Sequence, residues 1–218
     1  MHISEGVLSA PVLIAGAALS VMGVAVGLKK MEYDRLPEVA VLSAVFFMAS
    51  LMALPIGPVA AHLVLNGLCG LLLGWLAFPA IFVGLTLQSM LFQIGGLTAL
   101  GVNTFNIAFP AVLLGLLCRR YIGNFSATVR YTAEFFAAAG AIFFSGILVA
   151  ASLVATGESF IPAAKVVLLA HIPVMIAEGV ITIFVVEFIR KVRPEMLGPQ
   201  IEGTYKERTA GSASNGAA

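Results

Sequence analysis

Between Glu38 and Arg119 the chain carries no Asp, Glu, Lys or Arg. Gly6 to Leu28 is equally bare of charge. A soluble domain of 218 residues has too little interior to hide a composition that is 60% hydrophobic and 11% charged, with mean hydropathy +1.04. A bilayer does not have that limit: a helix of about 20 apolar residues crosses it with every backbone group paired internally. The expected fold is therefore all-α, a polytopic membrane protein of about seven transmembrane helices. The apolar runs place them near 8–28, 39–55, 58–74, 78–94, 105–120, 132–155 and 162–189. Pro55, Pro58, Pro79 and Pro110 break the runs or sit near helix starts. The segment IGGLTALGVNT at 94–104 is too polar and glycine-rich for a lipid-facing helix and reads as a loop folded back on the bundle.

Charge placement sets the expected orientation. Lys29, Lys30 and Arg35 follow the first span; Arg119, Arg120 and Arg130 follow the fifth. Arg190, Lys191 and Arg193 follow the seventh, and Lys206 and Arg208 lie in the tail. Eleven of the twelve Lys and Arg residues thus fall on one side, Lys165 being the exception. The positive-inside rule puts that side in the cytoplasm, with the N-terminus outside and the C-terminus inside. The N-terminus lacks the positive region of a signal peptide, so it reads as a retained first helix. Residues 1–194 form one integral membrane domain; 195–218, ending TAGSASNGAA, read as a disordered cytoplasmic tail. A net charge of +1 points to no nucleic acid. Cys69 and Cys118 form no CxxC pair and read as small packing residues. Gly23-x-x-x-Gly27 reads as a chance spacing in a Gly/Ala-rich chain.

The chain opens MHISEGVLS and has three histidines in all. The topology puts the N-terminus and His62, about one turn into the third span, at the same outer depth. The free Met1 amine, the next amide nitrogen and His2 Nδ1 lie on one continuous chain of atoms. A metal bridging them closes a five- and a six-membered ring, both free of strain, and His62 supplies a fourth nitrogen. Four nitrogens in a plane suit Ni(II) or Cu(II), and binding would release protons. Against this, a lone His2 is weak evidence, and His62 alone reads equally well as a helix-end histidine bonded to a carbonyl. Glu5 either supports a ligating imidazole or is solvated. Gln93, Asn103 and Asn106 either tie the glycine-rich loop over the site, or cap and cross-link helices; both can hold together. Gln88 and Asn66 lean structural. His171 and Glu178 are two turns apart on one face of the last span, where a proton relay competes with a packing contact, and the packing contact is favoured.

These residues resemble a known family. MHISEGVLS is similar to the M-H-I-x-(acidic)-G start of the CbiM/NikM family, the substrate-binding S components of energy-coupling-factor (ECF) transporters for cobalt and nickel. AHLVLNGLCGLLLG around His62, GGLTALGVNTFN and AEGVIT resemble its further motifs. Val7 departs from it, standing where an aromatic is expected. The resemblance implies Met1, His2 and His62 as metal-binding residues in a multi-pass protein of a prokaryotic inner membrane. It implies as partners a transmembrane coupling protein, an ATPase pair and a small accessory membrane subunit. The chain itself has no GxxxxGK[ST] phosphate loop, so it reads as a transport component, not an enzyme, with no organic cofactor. Planar nitrogen coordination and the GVLS ending favour nickel as the substrate, with cobalt as the alternative. A proton-coupled carrier or an intramembrane enzyme using His171 and Glu178 is the reading from a different class.

Overall fold

The computed structural model describes residues 2–56, 59–123 and 125–197. It is almost entirely helical. The elements are α1 (Ala10–Lys29), α2 (Leu36–Ala49), a two-stranded antiparallel hairpin of β1 (Ala53–Ile56) and β2 (Val59–His62), α3 (Asn66–Leu73), α4 (Ala77–Phe92), α5 (Leu100–Arg119), α6 (Ala127–Thr156), α7 (Ile161–Ala170) and α8 (Ile172–Val192). One turn of 3₁₀ helix at Gly74–Leu76 joins α3 to α4. Five helical stretches among the described residues are long and apolar enough to cross a membrane: α1, α3 with α4, α5, α6, and the segment Glu158–Val192. The tail expected to be disordered lies, from residue 198 onward, outside the described residues.

The differences from the expected spans have local causes. The apolar run at 58–74 is not one helix. Its first part is the second strand of the hairpin, and its helix starts only at Asn66. An apolar run of this length does not distinguish strand from helix. α2 has 14 residues, a length of about 21 Å at about 1.5 Å per residue, which falls short of a hydrocarbon core of about 30 Å. The last stretch breaks at His171, with Pro173 directly behind it in the first turn of α8, where a missing N–H costs nothing.

α3 is the centre of the molecule. All eight of its residues are buried, and it packs against both α5 and α6. Small residues permit this. A Cβ on Gly70 would lie 1.8 Å from the Ala111 carbonyl oxygen, and one on Gly115 would lie 2.2 Å from the Gly70 backbone. On the other side a Cβ on Gly67 would lie 2.4 Å from Ala138 Cα. Asn66 adds polar ties in both directions: its Nδ2 donates to the Ile107 carbonyl at 3.0 Å and to Ser145 Oγ at 3.0 Å. Where water is absent, such paired polar groups hold helices together.

α1 uses the same device. Gly16, Ser20, Gly23 and Gly27 form its buried face. Gly23 lies against the Phe78 ring and Gly27 against Pro79 and the Trp75 carbonyl. The Gly23–Gly27 spacing is therefore a packing face and not a chance pattern. Ser20 Oγ donates to the Gly101 carbonyl at 2.5 Å.

The two ends of the bundle differ. A cleft of about 790 Å³ at one end is lined by Lys30, Arg35, Glu38, Arg119, Arg193 and other charged residues. Nearby, Glu187 on α8 accepts from Arg130 at 3.1 Å and Arg190 at 3.2 Å, which ties α6 to α8. Glu134 on α6 is fully buried. The starts of α1, α5 and α8 lie at the other end, together with all three histidines.

Gly70→Ala is expected to destabilise the protein by about 1–3 kcal/mol or more, because the new methyl meets backbone on α5 and no flexible side chain. Gly123→Ala, where a Cβ would meet nothing within 4 Å, is the control. Thermal unfolding in detergent checks the pair, and equal midpoints would sink the account of α3 as a close-packed peg.

Candidate metal centre

The segment before α1 turns at Glu5–Gly6 and is held by a side chain that pairs with its backbone as a strand would. Asn103, in the first turn of α5 and buried, accepts from the Ile3 N–H at 2.9 Å through Oδ1 and donates to the Ile3 carbonyl at 3.0 Å through Nδ2. This two-point clamp fixes the backbone one residue from His2. Farther along, the Ser9 N–H donates to Thr156 Oγ1 at 3.3 Å. Ile3 and Leu8 are buried and pack with Val102, Val149 and Leu153.

The glycine-rich loop covers this segment. Gly95 and Gly96 have φ of +87° and +85°, a backbone region that side chains disfavour. They are also tight. A Cβ on Gly95 would sit 3.1 Å from Asn103 Nδ2 and 3.5 Å from His2 Cβ, and one on Gly96 would sit 2.5 Å from Glu5 Cβ. Glycine is required here for both close approach and conformation. The loop starts where α4 ends: the Gln93 and Ile94 N–H groups both donate to the Gln88 carbonyl.

His2 and His62 line a single cavity of about 350 Å³ together with His171, Ser4 and an apolar wall that includes Val149, Leu153 and Phe160. All three histidines of the chain thus meet one space. His62 reaches it from the end of β2, not from within a helix. His171 enters at the α7–α8 break, its Nδ1 bonded to the Val167 carbonyl. The His2 ring is buried deeply enough that its Nε2 has no hydrogen-bond partner. Burial, the positive N-terminus and His62 together push the His2 imidazole down to about 3, with the nearby Gln88 carboxamide opposing them. The His62 imidazole is lowered as well, by burial first and then by the N-terminal charge. Both are therefore neutral at pH 7 and carry free lone pairs, the state a metal requires.

The remaining candidates separate. Met1 lies outside the described residues. Glu5 is exposed and backs Gly96. Gln93 is exposed at the end of α4 in a left-handed turn (φ +56°) and is not among the residues lining the cavity. Asn106 donates to Ser152 Oγ at 3.1 Å, an α5–α6 cross-link outside the cavity lining. Glu178 is fully buried and accepts from the Val64 N–H, just before Leu65 takes a left-handed backbone (φ +52°) at the start of α3. Glu178 thus fixes the turn that follows His62, while His171 lines the cavity. The two face different tasks. His171 is the cavity-lining residue that sequence reasoning undervalued, and Gln88, outside that lining, lies beside His2. Their signal was a polar side chain within an apolar span, which needs a partner or a purpose.

Among the described residues no three His, Cys, Asp or Glu side chains gather where they could hold one ion. A site built on two imidazoles completed by main-chain nitrogens does not need such a group.

Comparison with known proteins gives the chain its family. Residues 2–196 match the CbiM family model, described as a cobalt uptake substrate-specific transmembrane region. A Haemophilus influenzae protein described as a metal transport protein is 40% identical over 201 residues, covering 90% of this chain and 97% of its own. The fused nickel transport protein NikMN of Rhodobacter capsulatus is 30% identical, over 95% of this chain and 67% of its own length. The crystal structure of a transition metal transporter superposes with a TM-score of 0.70 at 27% identity, covering 88% of this chain and 93% of that one. The chain belongs to the CbiM family of metal-uptake transmembrane proteins.

Proposed function

We propose that this protein is the ion-capturing membrane component of an ECF-type importer for a divalent transition metal. The substrate is bound by the free Met1 amine, the His2 amide and imidazole, and His62. The observation that carries this reading is the arrangement at His2: a neutral, buried imidazole faces the same cavity as His62, on a backbone that Asn103 clamps in place. A clamped backbone presents its nitrogens at fixed positions, which favours main-chain coordination over a mobile side-chain site. Nickel is the preferred substrate because four nitrogens in a plane suit it. Cobalt, named in the family description, is the alternative, and the same titration separates the two. Transport would draw on a transmembrane coupling protein, an ATPase pair and a small accessory subunit. The charged cleft would face the cytoplasm and the histidine cavity the outside.

The proposal is tested by titrating nickel, then cobalt, into purified protein with a native N-terminus and into the same chain carrying an N-terminal extension. Mass spectrometry first confirms a retained, unformylated Met1. One equivalent is expected to bind the native protein and not the extended one, and His62→Ala is expected to lose more than the about 100-fold that a missing supporting bond costs. Equal binding by the native and extended chains would exclude the amine.

Asn103→Ala leaves both polar groups of Ile3 without partners at a buried position, a cost of about 1–3 kcal/mol. It is expected to weaken nickel binding about tenfold or more without changing the metal's absorption spectrum. Unaltered affinity would show that the clamp does not serve the site.

Because both imidazoles are neutral at pH 7, protons released on binding come from the amine and the amide. Release is expected near two per ion at pH 6.5, falling toward one above the amine's ordinary range of about 8, so affinity rises with pH across this window. His2 protonation competes only near its value of about 3. Calorimetry in buffers of differing ionisation enthalpy measures the count, and three or more protons at pH 6.5 would contradict it.

A further inference from the structure

Gln88 is fully buried on α4, and neither its Oε1 nor its Nε2 has a hydrogen-bond partner. His2 Nε2 is buried and unpartnered as well. These orphaned groups are neighbours, since the Gln88 carboxamide acts directly on the His2 ring. Each buried polar group left unpaired costs about 1–3 kcal/mol, and a native structure keeps such groups only where they have a use. The backbone of Gln88 is committed to the same place. Its carbonyl accepts the Gln93 and Ile94 N–H groups, so the turn into Gly95, which packs on His2 Cβ and the ring edge, starts from Gln88 itself. The side chain is therefore anchored one helical turn from the loop that covers the imidazole.

Resting on the amine-chelate reading, we propose that Gln88 is the positioning residue of the metal site: its Oε1 accepts the His2 Nε2–H when the ion is held at Nδ1. The chemistry requires such a group. The chelate that begins at the amine closes a six-membered ring only through Nδ1, so the neutral ring must carry its proton on Nε2. A ligating histidine is usually held in the right tautomer and orientation by an acceptor on its other nitrogen. In a buried position that acceptor must come from the protein. Gln88 offers an unpaired carbonyl oxygen without adding a negative charge, which leaves the charge of the site to the deprotonated amide. The Gln88 carboxamide lies within hydrogen-bonding reach of the His2 ring, so the pair can form without moving either backbone. Gln88 in this role touches His2 and not the ion.

The test uses the full chain with its native N-terminus and nickel alone as the probe. Gln88→Leu is expected to weaken nickel binding about 10–100-fold while the absorption spectrum of the bound ion keeps its planar form. Gln88→Glu, which still accepts but cannot donate, is expected to stay within about threefold of the parent chain if acceptance by Oε1 is what matters. With three histidines in the chain, ¹⁵N-histidine labelling gives a resolvable spectrum. In the nickel-loaded parent protein His2 should be protonated at Nε2, and that proton should exchange slowly. Parent-like affinity in Gln88→Leu, equal losses in the Leu and Glu variants, or an unprotonated Nε2 in the loaded parent protein would each overturn the proposal. If Gln88→Leu does not fold, the spectrum of the parent protein decides alone. The N-terminally extended chain run beside these variants separates the two readings: equal nickel binding with and without the extension removes the chelate, and the role of Gln88 with it, whereas a chelate confirmed by the extension and insensitive to Gln88→Leu removes only the role of Gln88.

Discussion

Backbone meets backbone where α3 crosses α5. Gly70 and Gly115 leave no room for a Cβ on either side of that contact, and every residue of α3 is buried. In lipid there is little hydrophobic drive between helices, so close packing of small residues and paired polar groups must hold them. Asn66 supplies the polar part with bonds to both α5 and α6. The remaining elements are arranged around this peg. α4 continues from it through one turn, the hairpin that ends at His62 leads into it, and Glu178 on α8 holds the turn just before it through the Val64 N–H.

The site depends on that frame without being part of it. None of its key groups sits in the middle of a long helix. His2 lies ahead of α1, His62 at a strand end, and His171 at a helix break. Asn103 and Gln88 occupy the first turn of α5 and the last turns of α4. Helix ends are where backbone N–H and C=O groups become available, and there short segments from distant parts of the chain are stitched together by side-chain amides. The Asn103 clamp joins residues 100 apart in sequence. The glycine loop at 95–96 adds a tight cover that no larger residue would allow. In the proposed site an ion would meet a clamped main chain and neutral imidazoles, a combination suited to nitrogen coordination and to discrimination by geometry.

Much of this was legible from residues alone. The charge-free stretches and the one-sided placement of Lys and Arg called for a helical membrane protein, and the opening MHISEG with the GGLTALGVNTFN loop pointed to the family now matched by residues 2–196. Asn103 stands out for its polarity in an apolar setting, and its side chain makes two bonds to the Ile3 backbone. Gln93 is exposed and Gln88 is buried, a difference the sequence does not show. Both are glutamines near the end of the same helix, five positions apart, and hydropathy treats them alike. Only the helix rotation and the left-handed turn at Gln93 send one to the surface and bury the other beside His2. The hairpin that carries His62 escaped for a related reason: an apolar run lacks a periodicity that would separate strand from helix.

The sequence alone specified a helical membrane protein, because composition and charge placement act through the solvent and do not depend on which helices touch, and its motifs MHISEG and GGLTALGVNTFN carried the resemblance to the family. It also marked His2 as exceptional, because the amine, the amide and the imidazole are linked covalently whatever the fold. Tertiary structure alone decided which polar residues meet that histidine. Packing sets contacts between elements through the rotation and end points of each helix, and a difference of a single turn changes which neighbour a side chain meets. That is why Asn103 bonds to Ile3 while Asn106, three positions on, bonds to Ser152 on α6, and why Gln88 is buried while Gln93 is exposed.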